Sequence, residues 1–420
     1  MTDSTTAGAD EGDESPVDGG PADPPAEGGP DESSPPAGRD PAPSDEAAGP
    51  ADRTPTAPDA EVSDAATSPR RRALLGLVAG GGAGAVAGLV AGRLGADRIV
   101  DDRPGGPWTH VAPGASIHDA FAGGALAVAL GAGEYPIDRP LAMPRGASLR
   151  GVGRSTILRA APAGPDPLDA VISIGGGGPV DGVSIADLVV HAGGLATTGI
   201  DLHIQGEDGN FDGEPDAMCR LDDLWVYEPL DDGVWYRGDD AQATITTRVR
   251  VRRAGRHGFH VQAPDNWWIA CEATTTDRAG TGESHGFEIT SSNNHFSHCK
   301  AWYCAGHGWH HKGVRTTFTG CEAQDTKGHG WFVEWSQCTL TGCTADTASA
   351  ARLGAAPGAA DGFYVESPDK LVITGCTSTD RTTPPQQRYG FNVPAGLVDD
   401  GRFVANVAWA VRDGEVHLRR

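Results

Sequence analysis

Glu288, with His260 and His310 at matched positions, is the densest acid/base set in the sequence. Each stands two residues after a glycine: Gly258, Gly286 and Gly308. A carboxylate beside imidazoles can hold or pass a proton near neutral pH. The same place after other glycines holds Asp201, Trp235, Phe332, Tyr364 and Asn392. Two residues further on come His203, Arg237, Gln262, Thr290, Lys312, Glu334, Glu366 and Pro394. A pair of carboxyls about 5 to 9 Å apart suits glycoside hydrolysis. A base with cations close by suits removal of a proton beside a sugar carboxylate, as in lyases and epimerases. Glu288, His260, His310, Arg237 and Asp201 are therefore the candidate catalytic groups, Asp201, His203 and Arg237 forming a second acid/base set. Trp235, Lys312, Glu334, Tyr364 and Glu366 are candidate substrate-binding groups, offering flat apolar contact or charge. The competing expectation is an ordinary polar sheet face whose charges are solvated.

Something must place these residues side by side, and a repeat does so. Glycine followed by a large apolar residue recurs at Gly199-Ile200, Gly233-Val234, Gly258-Phe259, Gly286-Phe287, Gly308-Trp309, Gly330-Trp331, Gly362-Phe363 and Gly390-Phe391. A second column holds Leu188, Leu224, Val249, Cys271, Cys299, Cys321, Cys343 and Cys376. An apolar position precedes the cysteine by three (Trp268, Phe296, Phe318, Leu340, Ile373). A small residue follows it by two (Ala273, Ala301, Ala323, Ala345, Ser378). Short runs of period two, split by Gly, Asn, Asp and Thr, read as strands and turns. The shortest repeats are too brief for a strand–helix–strand unit, which needs about 30 residues. They suffice for one coil of a parallel β-helix, an all-β solenoid whose coils share one core. Extra residues fall between Gly199 and Leu224, Cys271 and Gly286, Cys343 and Gly362, and Cys376 and Gly390. In a solenoid these become loops at the corners.

The opening of this region carries a resemblance. Gly114-Ala115-Ser116-Ile117-His118-Asp119-Ala120-Phe121, then Val128 to Tyr135, then Leu149-Arg150-Gly151-Val152-Gly153, resembles the start of pectin-lyase-like right-handed parallel β-helix proteins. The likeness spans residues 108–410. It implies a short capping helix at Ser116 to Phe121. The superfamily includes polysaccharide lyases, glycoside hydrolases, uronate epimerases, adhesins and phage tail proteins, so the fold alone assigns no reaction.

Two other columns invite chemistry. His257, His285, His307 and His329 each precede the repeated glycine, with Asp361 and Tyr389 following in later coils. They read as a stacked row of turn residues on the surface, or as a metal-binding row. The cysteine column reads as interior thiols, although neighbouring coils about 4.8 Å apart also admit disulfides. Separately, Asp208, Asn210, Asp212 and Asp216 follow the Asp-x-Asn-x-Asp-Gly start of a calcium loop. Its twelfth place is Cys219 rather than the bidentate Glu. Ca²⁺ is the one cofactor that the sequence suggests.

The N-terminal quarter is different. Residues 1–68 are rich in Asp, Glu, Pro, Ala and Gly with no aromatic residue, the composition of a disordered tail. Residues 69–95, in which Arg70-Arg71-Arg72 precedes an uncharged run at 73–92, resemble a twin-arginine export signal or a membrane anchor. A linker at 96–107 leads to the β-helix, expected over 108–412. These features predict an exported or cell-surface protein whose partner is a polysaccharide or surface glycan, tied to the membrane if residues 73–92 are retained. The net charge of −24 argues against a nucleic-acid partner. Two functions remain open: a carbohydrate-active enzyme of lyase/epimerase or hydrolase type, and a non-catalytic glycan-binding or structural protein.

Overall fold

The computed structural model describes residues 108–176, 182–203, 219–238, 244–277, 284–335 and 337–420. The expected tail, export or anchor segment and linker lie outside these residues, as does the expected calcium loop. Among the described residues no helix is long and apolar enough to cross a membrane.

The chain is a right-handed parallel β-helix. A typical coil has three short strands, as at Phe287–Ile289, His295–Ser297 and Lys300–Trp302. Each pairs in parallel with its counterpart one coil on: Trp309–His311, Thr317–Thr319 and Glu322–Gln324. The first strands stack into a sheet of eleven, from Leu141–Met143 to Gly414–Arg419. The last strand adds to the solenoid beyond residue 412. The other two rows of strands run beside each other around the remaining faces.

The columns of the sequence become columns in space. Phe259, Phe287, Trp309, Trp331, Phe363 and Phe391 are fully buried and stack ring on ring; Phe287 and Trp309 lie 4.0 Å apart. The indole N–H of Trp309 donates to Glu322 O and that of Trp331 to Thr344 O. Tryptophan therefore enters the core without an orphaned donor. The repeated glycine is required by close approach. A Cβ on Gly308 would stand 2.8 Å from both Gly330 O and Ala323 Cβ, which also explains the small residue two after each cysteine.

The corner between the second and third strands is a single left-handed residue: Ala270, His298, Gly320, Gly342 and Gly375 all have φ between 53° and 62°. The cysteines follow at once, pointing inward. All eight cysteines are buried, and the seven from Cys271 onward are free thiols. Several thiols donate across the corner, as Cys271 to Thr246 O at 3.4 Å and Cys376 to Leu340 O at 3.6 Å. Valine in that place could not do this.

The expected cap is present as Ile117–Ala122. Ser116 Oγ accepts from Asp119 N, and Ile117 and Phe121 bury themselves against the end of the core. A second helix, Ala395–Asp399, buries Leu397 near the C-terminal end.

Candidate functional site

The eleven-stranded sheet carries the candidate residues on its outer face, in strict register. Asp201 pairs with Trp235, Trp235 with His260, His260 with Glu288, Glu288 with His310, His310 with Phe332, Phe332 with Tyr364 and Tyr364 with Asn392. His260, Glu288 and His310 thus occupy three successive coils. They are not a solvated polar face: only 6%, 7% and 7% of each is exposed. Rings cover them from the next column, with His257 edge-on to His260 at 5.1 Å and His285 edge-on to His310 at 4.8 Å.

Glu288 sits among potential cations. His310 Nδ1 is 2.8 Å from its Oε2 and Lys312 Nζ is 3.5 Å from Oε1. The His310 contact is an ion-pair distance without the angle of a hydrogen bond. Burial pushes the Glu288 carboxyl up, but His310 and Lys312, with His257, outweigh it and hold it below its ordinary value. The other nitrogen of His310 lies 3.0 Å from Glu334 Oε2. Glu288, His310 and half-buried Glu334 therefore form a chain from the closed centre of the strip toward its surface.

His260 has a partner that sequence reasoning missed. Its Nδ1 lies 2.8 Å from Oδ2 of Asp232, a fully buried carboxylate. Arg256 grips the same carboxylate through Nε at 3.1 Å and Nη2 at 2.6 Å. Burial raises the Asp232 carboxyl, but the bonds from His260 and Arg256 prevail and lower it to about 2. An ionised carboxylate only accepts, so Nδ1 of His260 carries a hydrogen, and the neutral form of the ring has its lone pair on Nε2. A carboxylate–imidazole pair with a free Nε2 is the arrangement of a general base. The available signal was that Asp232 occupies the place of the histidines before the repeated glycine, one coil before His257.

That column is a ladder. Each side chain accepts the backbone N–H of its counterpart one coil on. His257 N donates to Asp232, His285 N to His257 Nδ1, His307 N to His285 Nδ1, His329 N to His307 Nδ1, Asp361 N to His329 Nδ1, and Tyr389 N to Asp361. Each of the last four of these bonds is 2.9 to 3.2 Å long. The rings stack 4.9 to 5.2 Å apart. His257 and His285 are buried and His307 and His329 half-buried, so this is not a surface row. Burial lowers His257 and His329 to about 4 and the two between them well below 6.5, keeping the rings neutral.

The ladder bears on metal binding. Ligand atoms of His257, His285 and Glu288 lie within 4.8 Å of one another. However, each ring spends its Nδ1 lone pair on a backbone N–H, which leaves the hydrogen on Nε2. A nitrogen that carries hydrogen has no lone pair for a metal. These residues fit a row of donors and do not fit a metal centre.

The remaining candidates are placed apart. Asp201 is three coils from Glu288, about 14 Å at the usual strand spacing. It is bound by Arg237 through two bonds of 2.8 and 2.7 Å. Arg237 also lies over the Trp235 ring at 4.2 Å. Arg237 is thus held by Asp201, within the second candidate set, while Lys312 is the cation that reaches Glu288. Trp235 stacks on His260 at 5.7 Å and donates to Gln262. Asp201, His203, Trp235 and Arg237 line a pocket with Asp169 and Ser173. At the far end, Tyr364 stacks on His329 and carries Arg419 over its ring, while Glu366 is exposed. The expected calcium ligands Asp208, Asn210, Asp212 and Asp216 lie outside the described residues.

The family described as "Right handed beta helix region" matches residues 232–394. No curated protein matches the chain. Among solved structures, the A-module of mannuronan C-5 epimerase AlgE4 from Azotobacter vinelandii is similar with a TM-score of 0.50 at 14% identity, over 72% of this chain and 92% of that one. The A-module of AlgE6 from the same organism is similar with a TM-score of 0.50 at 13% identity, over 72% and 90%. At such identities the likeness speaks for the fold alone, and the protein is a right-handed β-helix protein of the kind those sheets and columns require.

Proposed function

We propose that the strip transfers a proton at the carbon bearing the carboxylate of a uronate sugar within a polysaccharide, as a lyase or an epimerase does. The observation that carries this reading is the Asp232–His260 pair, one coil from Glu288. His260 Nε2 takes the proton, and the electron pair spreads into the sugar carboxylate. Lys312, drawn off Glu288, offsets the developing charge. Return of that electron pair has two outcomes. It expels the neighbouring glycosidic oxygen to leave a double bond, or it collects a proton on the opposite face. His310, with a carboxylate at each nitrogen, can take a proton on one side and release one on the other. Hydrolysis fits less well, because it needs a carboxylic acid with a raised pKa, and Glu288 is shifted the other way.

The experiment is to incubate the full chain with uronate-containing and neutral polysaccharides in deuterated water. A lyase gives the ultraviolet absorbance of an unsaturated uronate. An epimerase leaves deuterium on the carbon that bears the carboxylate. New reducing ends with neither sign would mean hydrolysis and overturn the proposal, as would no product from any uronate polymer. A second reading, a glycan-binding surface without turnover, draws support from the low exposure of His260 and Glu288. It predicts binding with no product.

A further inference from the structure

We infer that the histidine ladder is an anion-binding track, that the Nε2–H groups of His307 and His329 hold a carboxylate of the bound sugar chain, and that the Arg419 guanidinium, beyond the Tyr364 ring, holds the next. This inference rests on the uronate reading above and names its binding subsite.

Geometry makes the rings donors. His307 Nδ1 accepts His329 N at 2.9 Å, and His329 Nδ1 accepts Asp361 N at 2.9 Å. Neither ring can place its hydrogen on Nδ1 without losing that bond, so each presents Nε2–H. Parallel stacking turns the ring edges, not the faces, toward the outside of the sheet. His329 keeps 16% of its side chain exposed. The result is a set of neutral, pre-oriented N–H groups one coil apart, the arrangement that binds anions in backbone nests and oxyanion holes.

The surroundings select one end of the track. Toward the N-terminus the anions are Asp232 and Glu288, with His285 Nε2 only 3.6 Å from Glu288 Oε2. A ligand carboxylate would be repelled there. Toward the C-terminus the side chain facing His307 and His329 is Phe332, at 5.1 and 5.8 Å. Phe332 stacks face-on against His310, so its positive rim meets the surface. Asp361, the carboxylate next to His329, is already bound by two bonds from Arg388 and one from Asn392. Glu334 is engaged by His310 and Lys312.

A second, independent observation points the same way. Tyr364 stacks on His329 at 4.7 Å and carries Arg419 over its ring at 4.5 Å. Arg419 donates to the Tyr364 hydroxyl through Nη1, but its Nε and Nη2 are buried with no hydrogen-bond partner. A guanidinium with unpartnered donors one ring beyond the row of N–H groups extends the row of donors, and a second carboxylate of the sugar chain suits it.

The test is calorimetric binding of a uronate oligosaccharide, and of the same oligosaccharide with its carboxylates reduced to alcohols, to the full chain. His307→Asn and His329→Asn keep an oxygen to accept the next backbone N–H, as Asp232 and Asp361 do, but remove Nε2–H. Arg419→Met keeps the packing stem and removes the donors. Each change is expected to weaken binding of the charged oligosaccharide about tenfold or more, to leave the reduced one unaffected and to leave the melting temperature in place. Variants that bind the charged oligosaccharide as well as the parent overturn the inference, as does a parent that binds both oligosaccharides alike. Should the Asn variants fail to fold, magnetic resonance of isotope-labelled histidines in the unaltered protein decides the matter. The Nε2 nitrogens of His307 and His329 must carry hydrogen and must shift on adding the charged oligosaccharide; unshifted signals overturn the inference. Carboxylate-selective binding without any product sinks the catalytic proposal alone. Product without carboxylate selectivity sinks the subsite alone.

Discussion

Asp232 accepts the Nδ1 hydrogen of His260 at 2.8 Å while Arg256 occupies both of its oxygens. The relationship predicts the effect of Asp232→Asn. An amide can donate to Nδ1, which moves the hydrogen of His260 to Nε2 and removes the base. Turnover on a uronate polymer should fall about 10² to 10⁴-fold, the scale of lost general-base help, with KM little changed. Arg256 also loses its buried partner, so the thermal transition is read in parallel. His260→Gln, which leaves the Asp232–Arg256 pair in place, should lose as much turnover with a smaller loss of stability. Full activity in His260→Gln would place the base elsewhere.

The neutral histidines predict acid lability. His257 and His329 are lowered to about 4, His311 to about 3, and His285 and His307 well below 6.5, in each case by burial first. The folded values lie below the unfolded value of 6.5. Their contribution to stability is therefore complete above pH 6.5 and is lost as pH falls toward the folded values. Each group contributes a slope of about 1.4 kcal/mol per pH unit in that window. Unfolding at pH 5 should take up about five protons, one for each of these rings. Asp232 adds a further loss lower down, between its ordinary 3.8 and about 2. Denaturant midpoints from pH 7 to pH 4 check this; a flat profile would mean that the rings are charged in the folded state.

The columns were legible because a coil repeats its spacing, and alternation after Gly286 fixes which way Phe287 and Glu288 point. Three features were not legible. Alternation marks a side but says nothing of cover, so it placed Glu288 outward without revealing how little of it is exposed. The role of Asp232 depends on contacts to the next coil, and its residue type differs from the histidines that share its column. The repeat set Asp201, His203 and Arg237 close together, but the two bonds from Arg237 to Asp201 depend on how the guanidinium turns, and the repeat is silent on that.

Two core substitutions should act in opposite directions. Phe296 is buried between Trp268 and Phe318, at 4.4 and 5.2 Å. Phe296→Ala should cost on the order of 3–5 kcal/mol. His311 occupies an inward position between Ile289 and Val333, and neither of its ring nitrogens has a hydrogen-bond partner. His311→Leu relieves a buried unsatisfied polar group and should stabilise the fold by about 1–3 kcal/mol. It should also remove one proton from the uptake at pH 5. Chemical denaturation measures both, and a destabilised His311→Leu would mean that the ring has a partner in solution.

Glu288 is the remaining test of the strip. Its carboxylate lies 2.8 Å from His310 Nδ1 and 3.5 Å from Lys312 Nζ, and His310 continues to Glu334 at 3.0 Å. Removing the charge while keeping the shape, as Glu288→Gln does, frees Lys312 and leaves His310 with a single carboxylate. The amide still fills the space between His260 and His310, so the fold should hold. If the chain through His310 supplies or removes the second proton, turnover should fall about a hundredfold, mostly in kcat, and the acid limb of the pH–rate profile should move. A purely structural role would lower the melting temperature and leave that profile where it was. His310→Asn should reproduce the kinetic effect, because it breaks the same chain from its middle. Should Glu288→Gln and His310→Asn both keep full turnover and an unchanged profile, proton transfer does not pass along this column. The Asp201–Arg237 end, with its pocket lined by His203 and Trp235, then becomes the place to look.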